Sequence, residues 1–181
     1  FKSVDGVLYT IDGKELIAYP EARGHNGVNG NAGEKDNKTA DDSGWVPYTT
    51  YEISEGVTKI WDYAFYKVDT LTSVAFPSTL KEIGEMAFWT CNGLVSLKLN
   101  EGLEVIAKDA FSYDVNLEGD IIFPSTLRSI GDFAFSKDKK ITGFTFNMTK
   151  AEFEKRGLTA NGYKWNYRTG ASKDSQLKFL V

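Results

Sequence analysis

Cys91 and His25, one of each in the chain, are the residues best suited to act as nucleophile, base or soft metal ligand. A lone pair of this kind excludes a disulfide framework and any Cys/His metal cluster. His25 lies in a glycine-rich stretch with no acid at a fixed spacing. The G-x-S-x-G, P-loop and H-E-x-x-H patterns are absent. Asp36, Asn37, Asp41 and Asp42 gather oxygen atoms, yet they depart from the D-x-[DN]-x-[DN]-G calcium loop. The 25 acidic residues could supply a carboxylate pair for glycoside hydrolysis, but nothing outside that stretch draws two of them together. No catalytic residue, metal or cofactor is therefore expected, and the chain does not read as an enzyme. Aromatic residues are the richer signal, at 14% of the chain. Trp61, Tyr63, Tyr66, Trp89 and Tyr113 are the candidate ligand-binding residues, since large amphipathic rings can serve as a sugar-stacking platform or a protein hot spot.

What must position these rings is an internal repeat. FPSTLKEIGEMAF (Phe76 to Phe88) returns 47 residues later as FPSTLRSIGDFAF (Phe123 to Phe135), with nine of thirteen positions identical. VTKIWDYAF (Val57 to Phe65) and LEVIAKDAF (Leu103 to Phe111) carry weaker copies. The Ala-Phe pair falls at Ala64, Ala87, Ala110 and Ala134, at spacings of 23, 23 and 24. Ile60, Ile83, Ile106 and Ile130 keep the same step, as do Leu71, Leu94, Leu117 and Ile141. The longer last step places one extra residue near Gly119 and Asp120.

A short period of this kind predicts one solenoid coil per repeat. Leu71 to Phe76 and Leu94 to Leu99 read as short strands, with Val74 and Phe76 inward and Ser73 and Ala75 outward. Tyr48, Tyr51 and Ile53 fit the same template as a partial coil. Stacking the coils lines these strands up as a parallel sheet, about 4.7–4.9 Å apart. Pro77 and Pro124 end the strand because proline gives the ladder no N–H. The Ala-Phe segment then turns the chain, and Glu82, Glu85, Glu104 and Asp132 take outward, solvated positions. Cys91 occupies a column held elsewhere by Val68, Asp114 and Asp138, and reads as a packed structural thiol. The outward row of the sheet, a second candidate binding surface, is Thr50, Glu52, Ser73, Ala75, Ser96, Lys98, Asp120, Ile122, Gly143 and Thr145, a flat face that is nearly uncharged in the middle.

The pattern P-x-x-L-x-x-I-G-x-x-A-F-x-x-C-x-x-L-x-x-L-x-L at Pro77 to Leu99 resembles the BspA-like leucine-rich repeat. The resemblance runs from Tyr48 to Phe146. It implies a β-rich, right-handed solenoid with a minor helical part. It also implies an extracellular or cell-surface bacterial protein concerned with adhesion, with a host extracellular protein or glycan as partner. DGVLYTIDGKELIAYP (Asp5 to Pro20), with its Asp12-Gly13 turn, is similar to the strand pair found beside such arrays. TKAEFEKRG (Thr149 to Gly157), Trp165 and the terminal LKFLV resemble their closing unit.

The expected organisation is an N-terminal β-hairpin over 1–23, a flexible Gly/Asn/Asp-rich loop over 24–44, four full coils plus a partial one over 45–146, and a helix/strand cap over 147–181. The loop also holds an N-glycosylation-type triplet, Asn37-Lys38-Thr39, discounted in a bacterial family. The net charge is 21 − 25 = −4 and the basic residues are scattered, so nucleic acid is not an expected partner. No apolar run has a membrane-spanning length. The chain starts mid-pattern at Phe1, which suggests a trimmed N-terminus. A monomer, or a part of a larger surface protein, is expected. A spacer with no ligand of its own is the competing role.

Overall fold

Each Ala-Phe turn closes one coil, and its backbone hydrogen bonds split into two sets. Even-numbered groups bond locally: Ala64 N–H to Trp61 O, Tyr66 N–H to Tyr63 O and Val68 N–H to Phe65 O. The alternate groups donate to the following coil: Tyr63 to Glu85 O (2.9 Å), Phe65 to Ala87 O (2.7 Å) and Lys67 to Trp89 O (3.0 Å). Met86, Phe88 and Thr90 repeat the pattern onto Lys108, Ala110 and Ser112, and Asp109, Phe111 and Tyr113 onto Asp132, Ala134 and Ser136. Local turns in this position need a left-handed residue third in the turn. Tyr63, Met86, Asp109 and Phe133 supply the first, with φ between 52 and 62°, and Lys67, Thr90, Tyr113 and Lys137 the second, with φ between 58 and 75°.

The computed structural model describes residues 1–20, 45–158, 167, 169 and 177–180, and the backbone of 24–26; of 45–47 also only the backbone is described. The elements in chain order are β1 (Lys2–Val4), β2 (Val7–Tyr9), β3 (Glu15–Ala18), β4 (Gly24–Asn26), β5 (Trp45–Pro47), β6 (Thr50–Glu52), β7 (Lys59–Ile60), β8 (Ser73–Ala75), β9 (Glu82–Ile83), β10 (Val105–Ile106), β11 (Gly119–Phe123), β12 (Ser129–Ile130), β13 (Ile141–Phe146), α1 (Lys150–Lys155) and β14 (Leu177–Phe179). The four coils of the solenoid hold Phe65, Phe88, Phe111 and Phe135.

The inward-facing strands form a parallel sheet as expected, but in two pieces. β6 pairs with β8, and β11, β13 and β14 pair in parallel. Between them, Leu94 to Leu99 of coil two forms no strand, although Val95 N–H still reaches Thr72 O and Glu118 N–H reaches Val95 O. This coil adjoins the one with the extra residue, which appears as a bulge between Gly119 and Asp120. Gly143, expected on the outward row, is buried, because the Asp120 carboxylate lies over it and leaves no room for a Cβ.

A second sheet was not foreseen. The isoleucine column forms two-residue parallel strands, β7, β9, β10 and β12, and the N-terminal hairpin joins them through β3, giving the order β1-β2-β3-β7-β9-β10-β12. The hairpin is a three-stranded meander, turned at Asp5-Gly6 and at Asp12-Gly13. Gly24–Asn26, placed in the loop from sequence, pairs antiparallel with Trp45–Pro47. The calcium-like acids and the Asn37 triplet lie outside the described residues.

The core is a column of rings. Tyr19, Phe65, Phe88, Phe111 and Phe135 stack in turn, with centroids 5.0, 4.6, 5.1 and 5.2 Å apart and planes within 21° of parallel. At the C-terminal end the column passes to Phe123, Phe144 and Phe146, over which Phe153 of α1 and Phe179 of β14 pack. Thr149 caps α1, its hydroxyl accepting the Glu152 N–H.

Two substitutions test this account. Phe111→Ala is expected to cost roughly 3–5 kcal/mol, since Phe111 is fully buried and sits between two stacked rings. Thr90→Gly is expected to stabilise by about 1 kcal/mol, because it removes a β-branched residue from left-handed backbone and a buried hydroxyl with no partner. Urea midpoints measure both, and a stabilising Phe111→Ala or a strongly destabilising Thr90→Gly would refute the turn and core assignments.

Candidate functional site

The local turns that follow each inward phenylalanine decide where the candidate rings go. The residue directly after it is Tyr66 in coil one and Trp89 in coil two, but Ser112 and Ser136 in coils three and four. Both serines are buried, and Ser112 Oγ donates to Ser136 O at 3.2 Å. The two large rings cannot enter the coil, so they lie on its outer edge. Their centroids are 5.0 Å apart with planes 7° from parallel. Tyr63 packs edge-on against Tyr66 at 5.7 Å, and Tyr113 leans on Trp89 at 5.6 Å. Tyr63 is 53% exposed and Tyr113 42%.

Four of the five sequence candidates thus form one continuous strip across three coils. Trp61 stands apart. It occupies the position of Gly84 and Gly131, where a Cβ would collide with the backbone of the preceding coil. Coil one has the hairpin there instead, and Trp61 N–H donates to Leu16 O. Its indole Nε1 donates to Glu15 Oε2 at 2.5 Å, and Phe1 packs edge-on against it at 6.5 Å. The structure gives Trp61 a role in joining hairpin to solenoid.

Two lysines missed from sequence belong to the strip. Lys67 Nζ lies 5.3 Å from the Tyr66 ring centre and 5.9 Å from that of Trp89, and Lys137 Nζ lies 5.6 Å from Tyr113. They share the left-handed column with Thr90 and Tyr113, at the repeat's own spacing of 23, 23 and 24. That column was the signal that could have found them.

The outward acids are not simply solvated. Lys59 pairs with Glu82 at 2.8 Å, Arg128 with Glu104 at 3.0 Å and Lys108 with Glu85 at 3.5 Å, each between neighbouring coils. Arg156 pairs with Glu152 and donates to Ser125 O and Leu127 O, so both fully described arginines are engaged within the fold. An open groove of about 610 Å³ beside Arg128 and Arg156 is lined by these neutralised pairs. Among the described residues no three His, Cys, Asp or Glu side chains converge as a metal would require.

Cys91 is the buried structural thiol expected from sequence. Its Sγ is 2.9 Å from Phe65 O, and burial, with the Asp114 carboxyl nearby, pushes its pKa far up, which keeps the thiol protonated and inert. The same column holds Asp114 and Asp138, both fully buried. Asp114 Oδ1 accepts the Cys91 N–H at 2.7 Å, and Asp138 Oδ1 accepts the Asp114 N–H at 2.9 Å. These carboxyls act as acceptors linking one coil to the next. Burial, and for Asp114 the adjacent Asp138, holds both pKa values well above the usual range.

Residues 45–160 match the family model described as "BspA type Leucine rich repeat region", in 6 copies. The chain belongs to the BspA-type leucine-rich repeat family. No curated protein matches it. Among solved structures it is similar to the pneumococcal vaccine antigen PcpA, at 24% identity and a TM-score of 0.64, over 81% of this chain and 30% of that one. It is similar to the leucine-rich repeat protein TpLRR of T. pallidum, at 20% identity and a TM-score of 0.57, over 84% and 75% of the two chains. A leucine-rich cell surface protein of Faecalibacterium prausnitzii matches at 22% identity and a TM-score of 0.57, over 83% and 40%. The chain therefore spans under a third of the length of the pneumococcal antigen. At these identities the likeness is one of fold. Leucine-rich repeat solenoids are typically interaction scaffolds rather than enzymes, and no helix among the described residues is long and apolar enough to cross a membrane.

The aspartate pair yields a signed pH prediction. A carboxyl whose folded pKa is raised contributes stability that is complete below the unfolded value, near pH 4, and is lost as pH rises through the folded pKa. An Asp114→Asn/Asp138→Asn variant keeps both acceptor oxygens and removes the ionisation. Its urea midpoint should exceed that of the unaltered chain at pH 7, with the advantage vanishing near pH 4. An advantage that grew on acidification would contradict the burial of these carboxyls.

Proposed function

We propose that the chain is a binding module of a bacterial extracellular or cell-surface protein, and that it engages a host protein or glycan through the turn edge bearing Tyr63, Tyr66, Trp89 and Tyr113. The observation that carries this reading is that the two central rings of the strip stand where later repeats have serine. Coils three and four close the same turn with buried serines, so nothing in the solenoid's packing calls for a tyrosine and a tryptophan at Tyr66 and Trp89. Exposed, pre-ordered aromatic rings are typical anchors of binding surfaces. The surface location draws support from the family and from the solved cell surface protein and vaccine antigen that share the fold.

The test is binding of the purified chain, held by one end, to a panel of matrix proteins and glycans at physiological salt. Saturable binding should disappear in a Tyr66→Ala/Trp89→Ala variant whose melting temperature stays within a few degrees. Trp61→Ala should leave it intact. Absence of binding across the panel would favour a spacer that displays other parts of a longer protein.

A further inference from the structure

The strip's own geometry narrows the partner, on the reading that this edge is the binding surface. Tyr66 and Trp89 stack face to face, Tyr63 packs against Tyr66 and Tyr113 against Trp89, and Lys67 sits over both central rings. Sugar rings engage aromatic residues through their C–H bonds on an open face, and the two central rings spend one face each on one another. Two ammonium groups stand beside the rings and give the strip a positive character. Lys67 and Lys137 are the solenoid lysines that lie against the strip's rings, and among the described residues neither has a carboxylate partner, unlike Lys59, Lys81 and Lys108, which are ion-paired across coils.

We propose that the strip binds an extended acidic peptide segment that runs along the solenoid axis and carries two carboxylates four residues apart on either side of an apolar residue. The backbones of Lys67 and Lys137 lie in coils one and four, three steps or roughly 14 Å apart at the usual strand spacing, and their side chains reach the rings of coils one to three from either end. An extended chain rises about 3.4 Å per residue, so residues i and i+4 span that distance and share a face with i+2. The carboxylates meet the two lysines, and the residue between them meets Trp89 and Tyr113.

The experiment titrates the chain with a blocked nonapeptide carrying two aspartates separated by three residues around a central phenylalanine, followed by calorimetry and by the tryptophan indole N–H resonances. One control replaces the aspartates with asparagines. Another moves one aspartate by a single residue, so that it faces away. Binding of the first peptide alone is expected, with loss of affinity in high salt. Lys67→Gln and Lys137→Gln should each weaken it roughly two- to fivefold, without change in melting temperature, and Trp89→Ala should abolish it. No binding, equal binding of the shifted control, or indifference to both lysine substitutions overturns the proposal. If a sialylated or sulfated oligosaccharide binds in a Trp89-dependent way while the peptide does not, the acidic-peptide assignment fails and the binding edge stands. If neither the peptide nor any member of the wider panel depends on Trp89, both fail.

Discussion

The spacing between coils governs everything else in this molecule. Backbone N–H groups of one turn bond to carbonyls of the next at 2.7 to 3.1 Å, from Tyr63 and Phe65 through Asp109 and Phe111. That ladder fixes the rise per coil near the spacing of neighbouring strands, and a flat ring is thin enough to stack within it. The inward column is consequently phenylalanine, at centroid distances of 4.6 to 5.2 Å. Alanine precedes each ring and is buried in every coil. A bulkier side chain there would push neighbouring coils apart and break the ladder that sets the pitch.

The same spacing explains how side chains off the core behave. Any residue type repeated at this interval stands within reach of its counterpart one coil away. Opposite charges placed so form ion pairs, as Lys59 does with Glu82. Polar acceptors reach backbone groups, as Glu55 does with Ser78 and Glu101 with Ser125. Carboxyls confined in the interior are driven toward the neutral form, which is the condition of Asp114 and Asp138. Rings placed outside stack as the core rings do, and the surface strip is a second, shorter version of the inner column.

Most of this was legible in the chain because a repeat multiplies weak signals. Ala-Phe, isoleucine and leucine columns gave the coils, the inward strands and the extra residue at Gly119. The isoleucine column is plain in the chain, yet its two-residue strands are too short for alternation to reveal, so the second sheet and the hairpin's place in it are not legible there. Leu94 to Leu99 matches the strand template as well as Leu71 to Phe76 does, and nothing in its composition announces the interruption there. Trp61 looked like its aromatic neighbours because the identity of the element preceding coil one, the hairpin, is a tertiary fact. Asp114 and Asp138 read as polar variants of a cysteine position, since sequence cannot report that the position is sealed from water.

The division of labour within the turns has an electrical consequence. In an ordinary parallel sheet successive peptide groups point to opposite sides and their dipoles largely cancel. Here the intervening groups are turned aside into local bonds. The peptide units that remain, such as those joining Ala64 to Phe65, Ala87 to Phe88 and Ala110 to Phe111, each accept from the coil before and donate to the coil after. Three such files run along one edge of the solenoid with their dipoles aligned, in the manner of a helix axis. The edge is therefore polar from end to end, with its N–H pole toward coil four, where Lys137 donates to Tyr167 O.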